Sequence, residues 1–382
     1  MRQYIGFAVG ALALAPALTA QALTANLREQ AVVSERTIVT QGGPGGPTAP
    51  GNPDNPRYDA PFGRFAGVNN VVSLRIVTGI GTFGCTGTLL NNRTQILTAA
   101  HCITDGSADV IATRIDVRFQ RADGSFETIS VNNPGALAAP ANMQVKPGYT
   151  GDVIDGRDLA VLTMPTAAPA FANGASIFNG NFGAIAGRQV TFAGYGSTGT
   201  GTTGDLQPGF ADRRRFGFNR FDAACASDGS GCGLSAGSVL LADFDNGSPA
   251  GGYNGDAICR LFGSPTSPPF AADQVAQVCN RGVTSDLLDE VGIGRGDSGG
   301  AAWFNGLIVG VASFGSRIDG TFPFGGWGTI AGYASAMDAE NRAWLMTVAP
   351  GSVVPEPSTY ALMATGLAGL AAIARRRRTP KA

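Results

Sequence analysis

From Val68 to Phe126 the apolar positions come in short β-branched runs, such as Ile111 to Phe119, broken by Gly, Asn and Asp. That spacing suits antiparallel strands and holds no 3.6-residue period. Cys85 to Leu90 reads as a strand closed by a turn at Asn91-Asn92-Arg93, and Asp158 stands at the head of the apolar run Leu159 to Leu162. The pattern changes towards the ends. An Arg near the start, an apolar core from Ile5 to Leu18 and a small-x-small site at Ala20-Gln21-Ala22 predict a secretory signal peptide over residues 1–22. Residues 23–64 keep no apolar period, and Gln41 to Pro56 is rich in Gly, Pro and Asn, as expected of a propeptide or flexible leader. A helix is expected over Ala336 to Met346. Beyond it, Val354-Pro355-Glu356-Pro357-Ser358 precedes the apolar run Tyr360 to Ala374 and four arginines, Arg375 to Arg378. Such a run enters a membrane with the arginines holding its tail in the cytoplasm, although it is shorter than the ~20 residues of a comfortable span.

Composition narrows the class. Charged residues are only 14%, the net charge is -1 and Gly is abundant at 56, so nothing suggests a nucleic-acid partner. Six cysteines without a paired Cys-x-x-Cys spacing, behind an export signal, are expected to be oxidised. The chain has one histidine, which cannot supply the two or three imidazoles of a usual catalytic metal site, and no metal or cofactor is expected.

Three stretches carry candidate chemistry. In Gly292-Ile293-Gly294-Arg295-Gly296-Asp297-Ser298-Gly299-Gly300, glycines flank a serine, so the backbone can turn sharply and a carbonyl can approach its amides. The N–H groups of Gly296 and Ser298 could then point to where an oxyanion forms. A serine hydroxyl needs a base to take its proton, and His101, in Leu97-Thr98-Ala99-Ala100-His101-Cys102, is the candidate. Asp158, at the edge of an apolar strand, is the candidate to orient the imidazole.

Leu-Thr-Ala-Ala-His-Cys, Asp-Leu-Ala-Val-Leu and Gly-Asp-Ser-Gly-Gly, in that order, resemble a trypsin-like (chymotrypsin-fold) serine endopeptidase over roughly residues 65–349. Val71-Val72-Ser73-Leu74, Ala193-Gly194-Tyr195-Gly196 and Ser313-Phe314-Gly315 extend the likeness. The resemblance implies an all-β fold of two antiparallel six-stranded β-barrels with a short C-terminal helix. It implies a catalytic set of His101, Asp158 and Ser298, and an oxyanion hole at Gly296 and Ser298. Gly292 falls at the floor of the primary pocket, Ser313, Phe314 and Gly315 pair with substrate backbone, and Cys85 bridges Cys102. Among Cys225, Cys232, Cys259 and Cys279 three pairings are open; proximity favours Cys225 with Cys232 and Cys259 with Cys279.

With Gly at 292 and at 294, where the family carries a stapling cysteine, a small or apolar preference is expected, although Asp289 and Glu290 stand nearby. The family matures by freeing an Ile or Val whose ammonium pairs with the Asp before the nucleophile, here Asp297. Arg57-Tyr58 and Arg64-Phe65 lie where that cut is due, but neither is followed by Ile-Val-Gly-Gly.

Arg213-Arg214-Arg215 is expected at a solvated strand edge, and residues 222–280 form a loop-rich insert. Within it, Asp243-Phe244-Asp245-Asn246-Gly247 reads as an Asx turn with partial likeness to a calcium loop. Residues 350–382 resemble the PEP-CTERM sorting signal of Gram-negative bacteria, which implies an exosortase as partner, transient membrane contact and a surface or extracellular destination. The expected activity is endopeptidase cleavage of a protein or peptide substrate. An esterase on the same machinery and a catalytically silent surface-adhesion protein are the alternatives.

Overall fold

The computed structural model describes residues 31–33, 39–40, 68–106, 109–133, 141–206, 213–226, 232–233, 237–245, 257–262, 290–317, 323–354 and 365. The signal peptide, most of the leader with Arg57 and Arg64, Cys279, Asp289 and nearly all of the apolar tail lie outside them.

The β-branched runs build a first antiparallel sheet of seven strands: Val71–Thr78, Gly81–Leu89, Gln95–Thr98, Ala112–Gln120, Phe126–Asn132, Met143–Val145 and Ala160–Thr163. Val71–Thr78 is flanked by Gly81–Leu89 and Ala112–Gln120, so that Leu74 sits between Cys85 and Val117. Val72, Leu74, Ile76, Ile115 and Val117 are buried in one cluster, whose burial offsets the entropy of ordering the strands.

A second sheet of nine strands takes the rest. Its path runs Arg215–Arg220, Gln189–Gly194, Ala301–Phe304, Leu307–Arg317, Thr329–Ser335, Val239–Phe244, Ala223–Cys225 and Cys232–Gly233. Phe192, Phe221 and Tyr333 stack at its core, with Phe192 and Tyr333 ring centroids 4.7 Å apart. The ninth strand comes from the leader: Ala31–Val33 pairs with Leu307–Arg317. A small third sheet joins Gly199–Thr200 and Gly204–Asp205 to a second leader strand, Val39–Thr40, which also pairs with Val291–Gly292. This is the chymotrypsin-like two-barrel architecture, each barrel enlarged by short strands.

Three local expectations need correction. The leader contributes ordered pairing at Ala31–Val33 and Val39–Thr40, because strand edges of the second half offer unpaired backbone groups there. Asp243 and Phe244 belong to strand Val239–Phe244 and not to a turn; apolar neighbours on both sides carry the strand through the acid, whose carboxylate accepts the Ile258 amide at 2.7 Å. Arg214 and Arg215 are buried, while Arg213 stays exposed. Arg214 lies between the barrels, its amide donating to Gln120 Oε1 at 2.9 Å and its guanidinium to Val71 O at 3.4 Å.

The C-terminal helix spans Ala339–Val348. It starts three residues later than expected because the Asp338 carboxylate caps the Glu340 and Asn341 amides at 3.0 and 3.1 Å. Asn341 then donates to Gly156 O at 2.8 Å, and Glu340 accepts Lys146 Nζ at 2.7 Å, which fastens the helix to the segment carrying Asp158.

Candidate active site

His101 and Asp158 come from the ends of two paired strands. Thr98 stands opposite Ala160 in an antiparallel ladder, so the residues just after the first and just before the second emerge side by side. His101 occupies a single turn of 3-10 helix, Ala100–Cys102, tied to strand Gly81–Leu89 by the Cys85–Cys102 disulfide. Its Nδ1 lies 2.6 Å from Asp158 Oδ2, and its amide donates to Asp158 Oδ1 at 2.8 Å. The carboxylate is wholly buried and the imidazole is 6% exposed, so the pair is shielded from competing water. Ser313 donates its hydroxyl to the same Oδ2, at 2.5 Å. A residue expected beside substrate backbone thus also orients the carboxylate.

Ser298 sits in the turn between Val291–Gly292 and Ala301–Phe304. Gly296 and Gly299 take φ of 103° and 83°, a region costly for other residues. At 299 a Cβ would also stand 2.0 Å from Thr98 Oγ1 and 2.3 Å from Thr86 O, so only glycine lets the turn press against the first barrel. The Gly299 amide donates to Ala312 O at 2.8 Å, whereas among the described residues the amides of Gly296 and Ser298 make no backbone hydrogen bond.

Ser298 and His101 both lie against the Cys102 sulfur, which is 3.6 Å from Ser298 O and 3.9 Å from His101 Nε2. The Ser298 hydroxyl is buried and has no hydrogen-bond partner among the described residues, so its contact with the imidazole is not made in this form. Before substrate enters, such contacts are often long or poorly aligned.

Thr86 carried no sequence signal beyond its place next to Cys85. Its amide donates to Ser298 O at 2.8 Å, its hydroxyl donates to Gly296 O at 2.7 Å, and that hydroxyl accepts the Tyr195 amide at 3.2 Å. One side chain of the first barrel therefore holds the serine turn of the second.

The neighbouring Asp297 is fully buried. Gly294 N donates to its Oδ2 at 3.2 Å, while among the described residues Oδ1 makes no well-formed hydrogen bond. Burial pushes this carboxyl up to about 8, against the opposing pull of the Gly294 amide and the Arg215 guanidinium.

Gly292 backs onto the Phe244 ring, which a Cβ there would approach to 3.1 Å. Phe314 is buried with its ring over Gly332, and Gly315 faces the Phe324 ring. Among the described residues, Cys85, His101 and Cys102 are grouped closely enough for a metal, but both sulfurs are spent in the disulfide.

The family model described as Trypsin matches residues 64–209. Residues 64–209 are thus similar to the trypsin family. The matched part holds His101 and Asp158 and ends before Ser298; the serine turn meets the other two through the contacts above. The PEP-CTERM protein-sorting motif matches residues 353–378. No curated protein matches the chain.

Cys85–Cys102 and Cys225–Cys232 are disulfides, and the second pair stands directly opposed across two strands. Cys259 is also disulfide-bonded, while Cys279, its expected partner, lies outside the described residues. Among the described residues no helix is long and apolar enough to cross a membrane; the expected membrane segment over residues 360–374 lies outside them apart from residue 365.

Proposed function

We propose that this chain is an exported, surface-sorted serine endopeptidase with Ser298 as nucleophile, His101 as general base and Asp158 as the group that orients the imidazole. The observation that carries the reading is the buried 2.6 Å contact between His101 Nδ1 and Asp158 Oδ2. It leaves Nε2 as the free ring nitrogen, on the side of the sulfur against which Ser298 also packs.

In this scheme Ser298 Oγ attacks a peptide carbonyl as His101 takes its proton. Asp158 stabilises the imidazolium without taking the proton itself. The amides of Gly296 and Ser298, which make no backbone bond among the described residues, receive the oxyanion. His101 gives the proton to the leaving amine, and water, activated by the same imidazole, releases the acyl group. The primary pocket, floored by Gly292 against Phe244, favours small or apolar side chains over Arg or Lys. The mature domain runs over residues 65–349, after loss of a signal peptide over residues 1–22 and of a leader over 23–64, and an exosortase acts on the tail over residues 350–382. Processing there ends the tail's contact with the membrane.

Aryl phosphonates bearing Ala, Leu or Arg side chains test the reading. Covalent labelling is expected at Ser298, faster with Ala or Leu than with Arg, and absent from Ser298→Ala. Labelling that persists in Ser298→Ala, or no labelling of a leader-free preparation, would overturn it.

A further inference from the structure

The strand Leu307–Arg317 has two edges. Thr329–Ser335 takes one of them along residues 310–317. Ala301–Phe304 takes the other along residues 307–311, and Gly299 and Gly300 continue that line by bonding to Ala312. Beyond this point the same edge carries the leader: Val33 stands opposite Phe314, Val32 opposite Gly315 and Ala31 opposite Ser316. The pairing is antiparallel, so the leader runs towards the serine turn and its Val33 end is the nearer one.

An extended peptide binds a sheet by adding a strand to an unpaired edge, its main chain giving affinity and alternate side chains specificity. For Ser298 to attack such a peptide, the peptide must occupy the edge that continues from the serine turn. Residues 314–316 are that edge, and it is filled. Six residues after Val33, the leader is bonded again at Val39–Thr40, opposite Gly292 and Val291. Both ends of the intervening stretch are thus tied to the second barrel, and the tether keeps the leader strand at a high local concentration beside its edge.

Resting on the peptidase reading above, we propose that the leader is a built-in competitor of substrate. Ala31–Val33 fills the backbone-pairing edge next to Ser298 by strand addition, and the uncut chain stays largely inactive until that strand leaves. The occupant is a segment of the chain itself, held by main-chain pairing, so a substrate competes for the position directly.

The test uses the full chain with Val32→Pro, which removes an amide and disfavours the paired conformation, and Ala31→Pro as a second variant. Leu307–Arg317 keeps its other strand partners in both variants. Three quantities are compared with the parent: phosphonate labelling at Ser298, hydrolysis of a short peptide with a small or apolar residue at the cleavage position, and hydrogen exchange over residues 314–316. Expected is faster exchange with labelling and hydrolysis raised about tenfold or more, as loss of a tethered competitor implies. A synthetic peptide covering Arg28 to Glu35 should inhibit the freed enzyme competitively.

Faster exchange with unchanged labelling and hydrolysis would overturn the proposal while leaving the peptidase reading intact. Unchanged exchange in both variants would overturn it too, because the strand would then not be what covers the edge. If the parent, the variants and a preparation stripped of its leader by limited proteolysis all resist labelling, the peptidase reading fails and the proposal with it.

Discussion

Asp297 places an acid where water cannot reach it, with one carboxyl oxygen lacking a well-formed hydrogen bond among the described residues. Its native carboxyl titrates near 8, against 3.8 when unperturbed. Between those limits the folded chain keeps a proton that the unfolded chain has lost, so stability falls as pH rises from about 4 to about 8. The slope from this one group is at most ~1.4 kcal/mol per pH unit. Asp297→Asn keeps the shape without a titrating proton. It should flatten that part of the pH dependence and raise stability near pH 8, as read from urea midpoints of parent and variant across the range. Parallel slopes in the two proteins would show that Asp297 ionises without cost.

At the scale of single elements, the strands of the first barrel were legible because β-branched runs and their breakers are local signals. His101 and Asp158 were legible for a related reason: each sits beside a strand end, and the ladder that pairs Thr98 with Ala160 brings the two together. What the sequence concealed depends on partners far along the chain. Arg214 and Arg215 look solvated in a charged triplet, yet both are buried, Arg214 against Gln120 and Val71 of the other barrel. Asp243 looks like a turn residue until Ile258 supplies its amide. The short leader strands have no period of their own and exist only because edges of the second half accept them. The turn bearing His101 is too short to hold itself, and the Cys85–Cys102 disulfide, with a sequence separation of 17, supplies the constraint. By the loop-entropy estimate such a bridge contributes about 3 kcal/mol. Cys85→Ala with Cys102→Ala should therefore lower urea stability by about that amount, and lower turnover in the surviving folded fraction. A loss below about 1 kcal/mol would mean that strand pairing alone holds the turn.

At the scale of the whole molecule, Thr86 supplies several of the polar contacts through which the described residues of the two barrels meet near the serine turn. Its hydroxyl spends its proton on Gly296 O and a lone pair on the Tyr195 amide, while its main-chain amide holds Ser298 O. Thr86→Val preserves volume and strand propensity but leaves that carbonyl and that amide unpaired in a buried seam, at a cost of about 1–3 kcal/mol. The functional consequence is separable from the stability cost. Gly296 O and the Gly296 amide belong to one residue, so freeing the carbonyl lets the amide swing away from the position where negative charge develops. An interaction made only in the transition state would be lost, and turnover should fall about tenfold or more with little change in KM. Thr86→Ser, which keeps the hydroxyl and loses only a methyl group, should recover most of the turnover. If the valine variant is destabilised but its folded fraction turns over at the parent rate, Thr86 is a structural tie between barrels and does not aim the Gly296 amide. If the serine variant fails as badly as the valine one, packing of the methyl group and not the hydrogen-bond pair sets the seam.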